Sequence, residues 1–305
     1  MPPTPLRFIP IEALPPRTAG YLQVSLQIAT TPTYYKSLIL RLLTGTLDIE
    51  CQKTNLVIQQ RNNYSTLVFT ANSRAFKHSL MSAIPCNLQK YDAHIQGSVK
   101  KNFSLYRDIY FEFCGYFFLK ETENDLGAFV HLYRVLERIA YCLPLMWAST
   151  AQDYKKSFDT LKKYFSDPKV GERKVLTKFI ADFIAVEERE TRATLNITSV
   201  HTDWQTRYYN SLYRMVKDSP HFVESTPDSQ IIIHFEALID LVITCRNRYF
   251  HALTGQDEFF DVEQVVDGNE FFSILNETLA NWLAFLIFKI FDNELETHLT
   301  RCLKK

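Results

Sequence analysis

Residues 228–255 read DSQIIIHFEALIDLVITCRNRYFHALTG, and the reading of this stretch decides the fold assigned to the second half of the chain. Its apolar residues recur at helical spacing, Asp228 or Ser229 stands where an N-cap belongs, and Gly255 stands where a helix C-terminus favours glycine. The spacing predicts one helix over 228–254. At about 100° per residue, Leu238, Val242, Cys245, Tyr249, Ala252 and Leu253 fall in one sector, with Ile239 and Phe250 at its flank. Arg246 falls inside that apolar sector, between Val242 and Phe250. An unpaired guanidinium in an apolar interface costs several kcal/mol, so Arg246 requires a carboxylate, a phosphate or a second chain as partner. Asn247 and His251 are four residues apart and share the neighbouring polar face. On a straight helix Arg246 and His251 diverge by roughly 140°. Aiming both at one small group requires the helix to bend or end there, or a second subunit to complete the site.

Outward from this stretch the second half continues in helical patterns. LGAFVHLYRVLERIAYCLPLMW (126–147) carries apolar residues at 126, 129, 132, 133, 136, 139, 140 and 143, and ERKVLTKFIADFIAVEERE (172–190) at 175, 176, 179, 180, 183 and 184. SVHTDWQTRYYNSLYRMVKD (199–218) follows, broken by Pro220 and Pro227, and a last long helix is expected from Glu270 to Arg301. The first third looks different. YLQVSLQI (21–28) alternates in part, and LDIECQ (47–52), NLVIQQR (55–61) and STLVFTA (65–71) are short, β-branched and bounded by polar residues, as strands are. NSRAFKHSLMSAI (72–84) has helical spacing with Asn72 as its cap. DIYFEFCGYFFLK (108–120) reads as a buried aromatic strand in which Gly115 marks a bulge or a close approach. The polar run ETEND (121–125) reads as a linker. The expectation is an α+β protein: a mixed α/β domain over 1–122, to which the family resemblance given below assigns a sensor or regulatory role, then an all-α helical bundle over 123–305.

Composition narrows the function. Of 305 residues, 46% are hydrophobic, and Lys+Arg and Asp+Glu both number 34, so bulk charge does not mark a nucleic-acid binder, although a local basic patch stays open. The six cysteines are scattered without a CxxC pair or zinc spacing, which reads as reduced thiols. The N-terminus lacks the pattern of a signal peptide, and the late run NWLAFLIFKIF is interrupted by Lys289 and shorter than the roughly 20 residues of a membrane span. A soluble cytoplasmic protein with no membrane partner is expected. No P-loop, G-x-S-x-G, H-E-x-x-H or dinucleotide fingerprint is present, so no cofactor and no metal are expected.

The run RNRYFH (246–251) resembles the R-x4–6-H signature of the HEPN superfamily, in its R-N-x-x-x-H form. The resemblance covers about residues 125–305. It implies an all-α bundle and a metal-independent endoribonuclease of defence or toxin type, acting as a homodimer with two motifs facing each other. Arg246, Asn247 and His251 are then the catalytic residues. The residue types suit that chemistry. A His with an ordinary pKa near 6.5 exchanges a proton near neutrality, and an Arg fork holds phosphate oxygens. Cleavage by the RNA's own 2′-OH leaves a 2′,3′-cyclic phosphate. Glu137, on an earlier helix, is the expected support for Arg246. The antitoxin-modified Tyr of one toxin subgroup corresponds to Leu253 here, which puts that control in doubt, although a regulatory or antitoxin partner for the N-terminal domain is implied. Arg134 and Arg138 read as outward-facing, His234 and Asp240 as lacking ligand spacing, and the Lys doublets at 100–101, 155–156 and 162–163 as solvated surface. The alternative is a non-catalytic HEPN-like binding or dimerisation module.

Overall fold

The computed structural model describes residues 7–29, 33–67, 70–71, 83–84, 86–149, 153–165, 172–250, 260 and 263–303. The protein is about 61% helical with small antiparallel sheets, an α+β fold. It forms two compact units, residues 1–135 with 283–305, and residues 136–282.

In the first unit, β1 (Phe8–Glu12), β2 (Leu47–Cys51) and β3 (Leu56–Ile58) make an antiparallel sheet in that order, with Phe8 opposite Cys51 and Glu12 opposite Leu47. A second, two-stranded pair joins β4 (Asn62–Asn63) to β5 (Thr70–Ala71). Short α1 (Pro16–Ala19) precedes α2 (Tyr35–Leu43), every residue of which is buried. The fully buried Arg41 of α2 is neutralised by Glu12 and also donates to the carbonyls of Leu26 and Thr46. Helices α3 (Leu88–Gly97) and α4 (Phe103–Glu121) follow.

Three expectations for this region are corrected. Residues 21–28 form a 3₁₀ turn at Val24–Leu26, not a strand: Ser25 and Leu26 are both buried, so the faces do not alternate, and Ser25 N donates to Asp92 of α3 at 2.8 Å. STLVFTA yields strand only at Thr70–Ala71 among its described residues. The aromatic run 108–120 is not a strand but most of α4. Its buried residues Tyr106, Ile109, Tyr110, Phe113 and Phe117 recur every three or four positions, and burial of Glu112, Cys114 and Tyr116 hides that period in the sequence. Gly115 does mark a close approach: a Cβ there would lie 2.5 Å from Cε1 of His131. The helix predicted at 72–84, with its Asn72 cap, falls almost wholly outside the described residues.

ETEND is not a linker but a tight helix–helix turn inside the first unit, so the boundary expected at 122/123 is not where the units divide. Glu123 adopts φ 54°, Asn124 N donates to Leu119 O at 2.8 Å, and Asn124 Oδ1 accepts from Gly127 N at 2.9 Å, opening α5 (Asp125–Ser149).

The second unit holds α6 (Tyr154–Phe165), α7 (Glu172–Phe183), α8 (Val186–Arg189), β6 (Arg192–Asn196), α9 (Thr202–Val216), β7 (Phe222–Thr226), β8 (Gln230–His234) and α10 (Phe235–Phe250). The last helix, α11 (Gly268–Leu303), and α5 each give residues to both units. The region expected to be all-α therefore contains an antiparallel sheet of order β6-β8-β7. The error lies in QIIIH: Ile231 and Ile233 are buried, Ile232 points the other way, and three successive β-branched residues favour the pleat over a helix. Asp228 is not an N-cap but the φ 56° residue of the β7–β8 hairpin, where Ser229 N donates to Thr226 O at 3.1 Å. Helix α11 is long and apolar enough to cross a membrane by length and composition, contrary to the reading of the NWLAFLIFKIF run as too short, but 83% of its apolar window is buried inside the protein.

Candidate functional site

Helix α10 carries the motif, and its start is pinned by charge. Glu236, in the first turn, accepts from Arg189 Nη1 of α8 at 2.5 Å, and Arg189 Nε donates to Ile184 O at 3.1 Å. His221 Nδ1 lies 3.9 Å from the other Glu236 oxygen. Phe235 stacks on Trp282 with ring centroids 5.3 Å apart. Leu238, Leu241, Val242 and Cys245 then form the buried stripe. Burial pushes the Cys245 thiol well above its ordinary range, which makes it a core residue and not a nucleophile.

At the end of α10 the sector opens to solvent. Val242 is fully buried, but Phe250, two turns on, is 45% exposed. Arg246 lies between them and is half-buried, so it is not enclosed in an apolar interface as its register suggested. Its Nη1 donates to Oδ1 of the exposed Asn247 at 3.0 Å, and the guanidinium and the amide form one polar group at the helix end. Tyr249 packs edge-on against Phe250 and Phe272, and a Cβ at Gly268 would collide with its hydroxyl, so glycine at the start of α11 is what admits this ring. Phe260 N donates to Arg248 O at 3.2 Å, and its ring meets Phe271 at 5.1 Å, which ties that residue to the end of α10 and the start of α11. His251 falls outside the described residues, as do Ala252, Leu253 and Gly255.

The chain matches no family model, no curated protein and no solved structure. The HEPN resemblance therefore rests on residues 246–251 of the sequence, of which Arg246–Phe250 lie on α10, and on the long helix that follows in the chain.

The remaining expected residues fall as follows. Glu137 is exposed on α5. Arg134 is exposed, as expected, whereas Arg138 is half-buried instead of facing outward. His234 sits on β8 rather than on the motif helix, and its ring centroid lies 6.4 Å from that of His221. Asp240 Oδ1 accepts from Thr177 of α7 at 3.5 Å. Among the described residues no group of three His, Cys, Asp or Glu side chains is placed to hold a metal ion.

Two polar clusters of the first unit escaped the sequence reading. His131 Nδ1 lies 2.7 Å from Oε2 of the buried Glu112, with the imidazole lying over Gly115. A glycine within an aromatic-rich helix was the available signal. Lys36 of α2 donates to Glu294 of α11 at 2.5 Å, with both side chains over nine-tenths buried. Ser98 Oγ lies 3.3 Å from the ammonium, Asn102 Nδ2 donates to Glu294 at 3.3 Å, and the Tyr106 ring lies 4.8 Å from Lys36 Nζ. Two cavities of about 10 Å³ flank Lys36, each with room for about one water.

Proposed function

We propose that the chain is a HEPN-like, metal-independent endoribonuclease of defence or toxin type, with Arg246, Asn247 and His251 as its catalytic group. The observation that carries this reading is the joined Arg246–Asn247 pair at the solvent-facing end of α10, 3.0 Å apart. Arg246 offers its fork to a phosphodiester, and the Asn247 carbonyl oxygen holds that fork in place. His251, one helical turn beyond Asn247 in the sequence, supplies the proton acceptor for the RNA 2′-OH and then the donor for the leaving 5′-oxygen. The HEPN-like part takes in α7 and α10 of the second unit, and the β6–β8 sheet is an addition to it. Residues 1–122 serve regulation, and the protein acts in the cytoplasm. The test is cleavage of total RNA in EDTA by the wild-type chain and by Arg246→Ala, Asn247→Ala and His251→Ala. Loss of activity in the Arg and His variants, with wild-type circular dichroism, supports the assignment. Full activity in His251→Ala removes it.

A second reading has its own support. Phe250 leaves an aromatic ring 45% exposed beside the motif, as an interface residue would. We infer a homodimer in which the two α10 ends meet near the twofold axis. If the dimer forms and no RNA is cut, the chain is a non-catalytic HEPN-like module that regulates a partner.

A further inference from the structure

The Lys36–Glu294 pair has a third member. One carboxylate holds both an amine and an amide: Glu294 Oε2 accepts from Lys36 Nζ at 2.5 Å, and Oε1 accepts from Asn102 Nδ2 at 3.3 Å. All three residues belong to the first unit. Asn102 stands at the N-cap of α4, where an asparagine side chain ordinarily accepts a backbone N–H. It makes no such bond. Its backbone is left-handed, φ 56°, which few residues other than glycine adopt, and its amide turns to the buried Glu294 instead. Burial pulls the Lys36 ammonium below its ordinary range, against the opposing charge of Glu294. Beside Lys36, a cavity lined by Tyr35, Ser98, Phe103 and Tyr106 has room for about one molecule the size of water.

We propose that Lys36 Nζ and Asn102 Cγ join in an intramolecular isopeptide bond, with Glu294 as the proton carrier. The ingredients are an amine kept from water, a neutral carboxamide as electrophile, and a carboxylate in contact with both. Glu294 first takes one proton from the ammonium and frees the lone pair on Nζ. That pair attacks Cγ of Asn102. As the tetrahedral intermediate collapses, Glu294 gives its proton to Nδ2 and takes the second proton from Nζ. The Cγ–Nδ2 bond breaks, and ammonia leaves into the adjoining cavity, which matches its size. One amide bond forms and one breaks, no electron is gained or lost, and Glu294 ends as a neutral acid beside the new amide. Two buried charges are thereby removed from the interior. Glu294 is not itself the electrophile, because a carboxylate repels the attacking pair. The ion pair is the unreacted state, and the cost of breaking it is that of the uncrosslinked chain. The inference is independent of the ribonuclease reading.

The test is the mass of the full chain, denatured for measurement after incubation over several days at neutral and mildly alkaline pH. The wild type is expected to lose the mass of one ammonia. Trypsin does not cut after an acylated lysine, so digestion is expected to yield one branched peptide, residues 18–41 joined to residues 102–107. Asn102→Gly suits the left-handed backbone and leaves the ion pair in place, and its mass is expected to stay constant. Lys36→Arg keeps a cation but no attacking amine, and its mass is expected to stay constant too. Glu294→Gln is expected to slow the loss about 100-fold or more. Circular dichroism checks that each variant is folded, and Asn102→Gly, at an exposed position, carries the comparison if a variant of the buried pair is not. A constant wild-type mass overturns the proposal, as does an undiminished rate in folded Glu294→Gln. So does a loss of ammonia that gives no branched peptide or persists in Lys36→Arg, which marks an asparagine closing on its own backbone. Conversion of the Asn102 amide to an acid, with no branched peptide, overturns it as well.

Discussion

Replacing Glu294 by Gln leaves the Lys36 ammonium in the interior without its counter-charge. The two side chains are 7% and 6% exposed and 2.5 Å apart, and the amide retains only a neutral hydrogen bond. Breaking one partner of a buried pair costs about 3–5 kcal/mol, a large share of the roughly 5–15 kcal/mol that holds a typical domain folded. The expected loss in midpoint temperature is on the order of 10 °C. The pH dependence has a definite sign. Burial raises the Glu294 carboxyl, but the charge and hydrogen bond of Lys36, with Lys101 and Tyr106, bring it below its ordinary value. A depressed carboxyl contributes stability above its unfolded pKa, about 4.3 for Glu, and that contribution is lost as pH falls through the folded value. Urea titrations of the wild type and Glu294→Gln at neutral pH and on the acid limb read both effects. The variant is less stable at neutrality, and its acid limb below about pH 4 is shallower. Lys36→Met with Glu294→Leu, which removes both charges, returns to within about 2 kcal/mol of the wild type. A Glu294→Gln protein that loses less than about 1 kcal/mol refutes the reasoning, because an uncompensated buried ammonium cannot be that cheap.

Gly115→Ala gains about 1 kcal/mol of helix propensity but drives a methyl into the His131 ring, 2.5 Å from Cε1, so a net loss of about 1–3 kcal/mol is expected in thermal melts. Adding His131→Ala to Gly115→Ala should recover part of that loss in a double-mutant cycle. Arg189→Ala strips Glu236 of its 2.5 Å partner at the first turn of α10 and should cost about 2 kcal/mol, with faster amide exchange along α10 as the local readout. Asn247→Ala touches an exposed side chain and should leave stability within about 0.5 kcal/mol. The same substitution should still lower RNA cleavage severalfold, because it releases the Arg246 fork.

Helices α5 and α7 were legible because they are one-sided, and α11, buried on nearly every face, was legible from the length of its apolar run. The stripes over 126–143 and 175–184 appear as α5 and α7, and the expected last helix appears as α11. Strands β2 and β3 were likewise set by short β-branched runs between polar residues. Elsewhere reading failed where an element is buried on all sides or where two elements abut. Helix α4 buries Glu112 and Cys114 as well as its main stripe, so its period vanished into a run of aromatics. Strand β8 passes into α10 between His234 and Phe235 with no intervening loop, and the apolar pattern runs across the join without a break. At the site, the adjacency of Arg246 and Asn247 was plain in the sequence, but the opening of their sector to solvent depends on where α10 leaves the core. The Lys36–Glu294 pair joins residues 258 positions apart, and no local pattern announces such a partner.

The most direct test of the central claim is the chemistry of the RNA ends. Purified chain is incubated in EDTA with an end-labelled RNA and with the same RNA carrying one 2′-deoxy residue at the cut site. The expected products carry a 2′,3′-cyclic phosphate and a 5′-OH, the deoxy substrate stays intact, and Arg246→Ala lowers the rate by about 100-fold or more. Cleavage of the deoxy substrate, a requirement for divalent metal, or wild-type cleavage by Arg246→Ala contradicts the proposed mechanism.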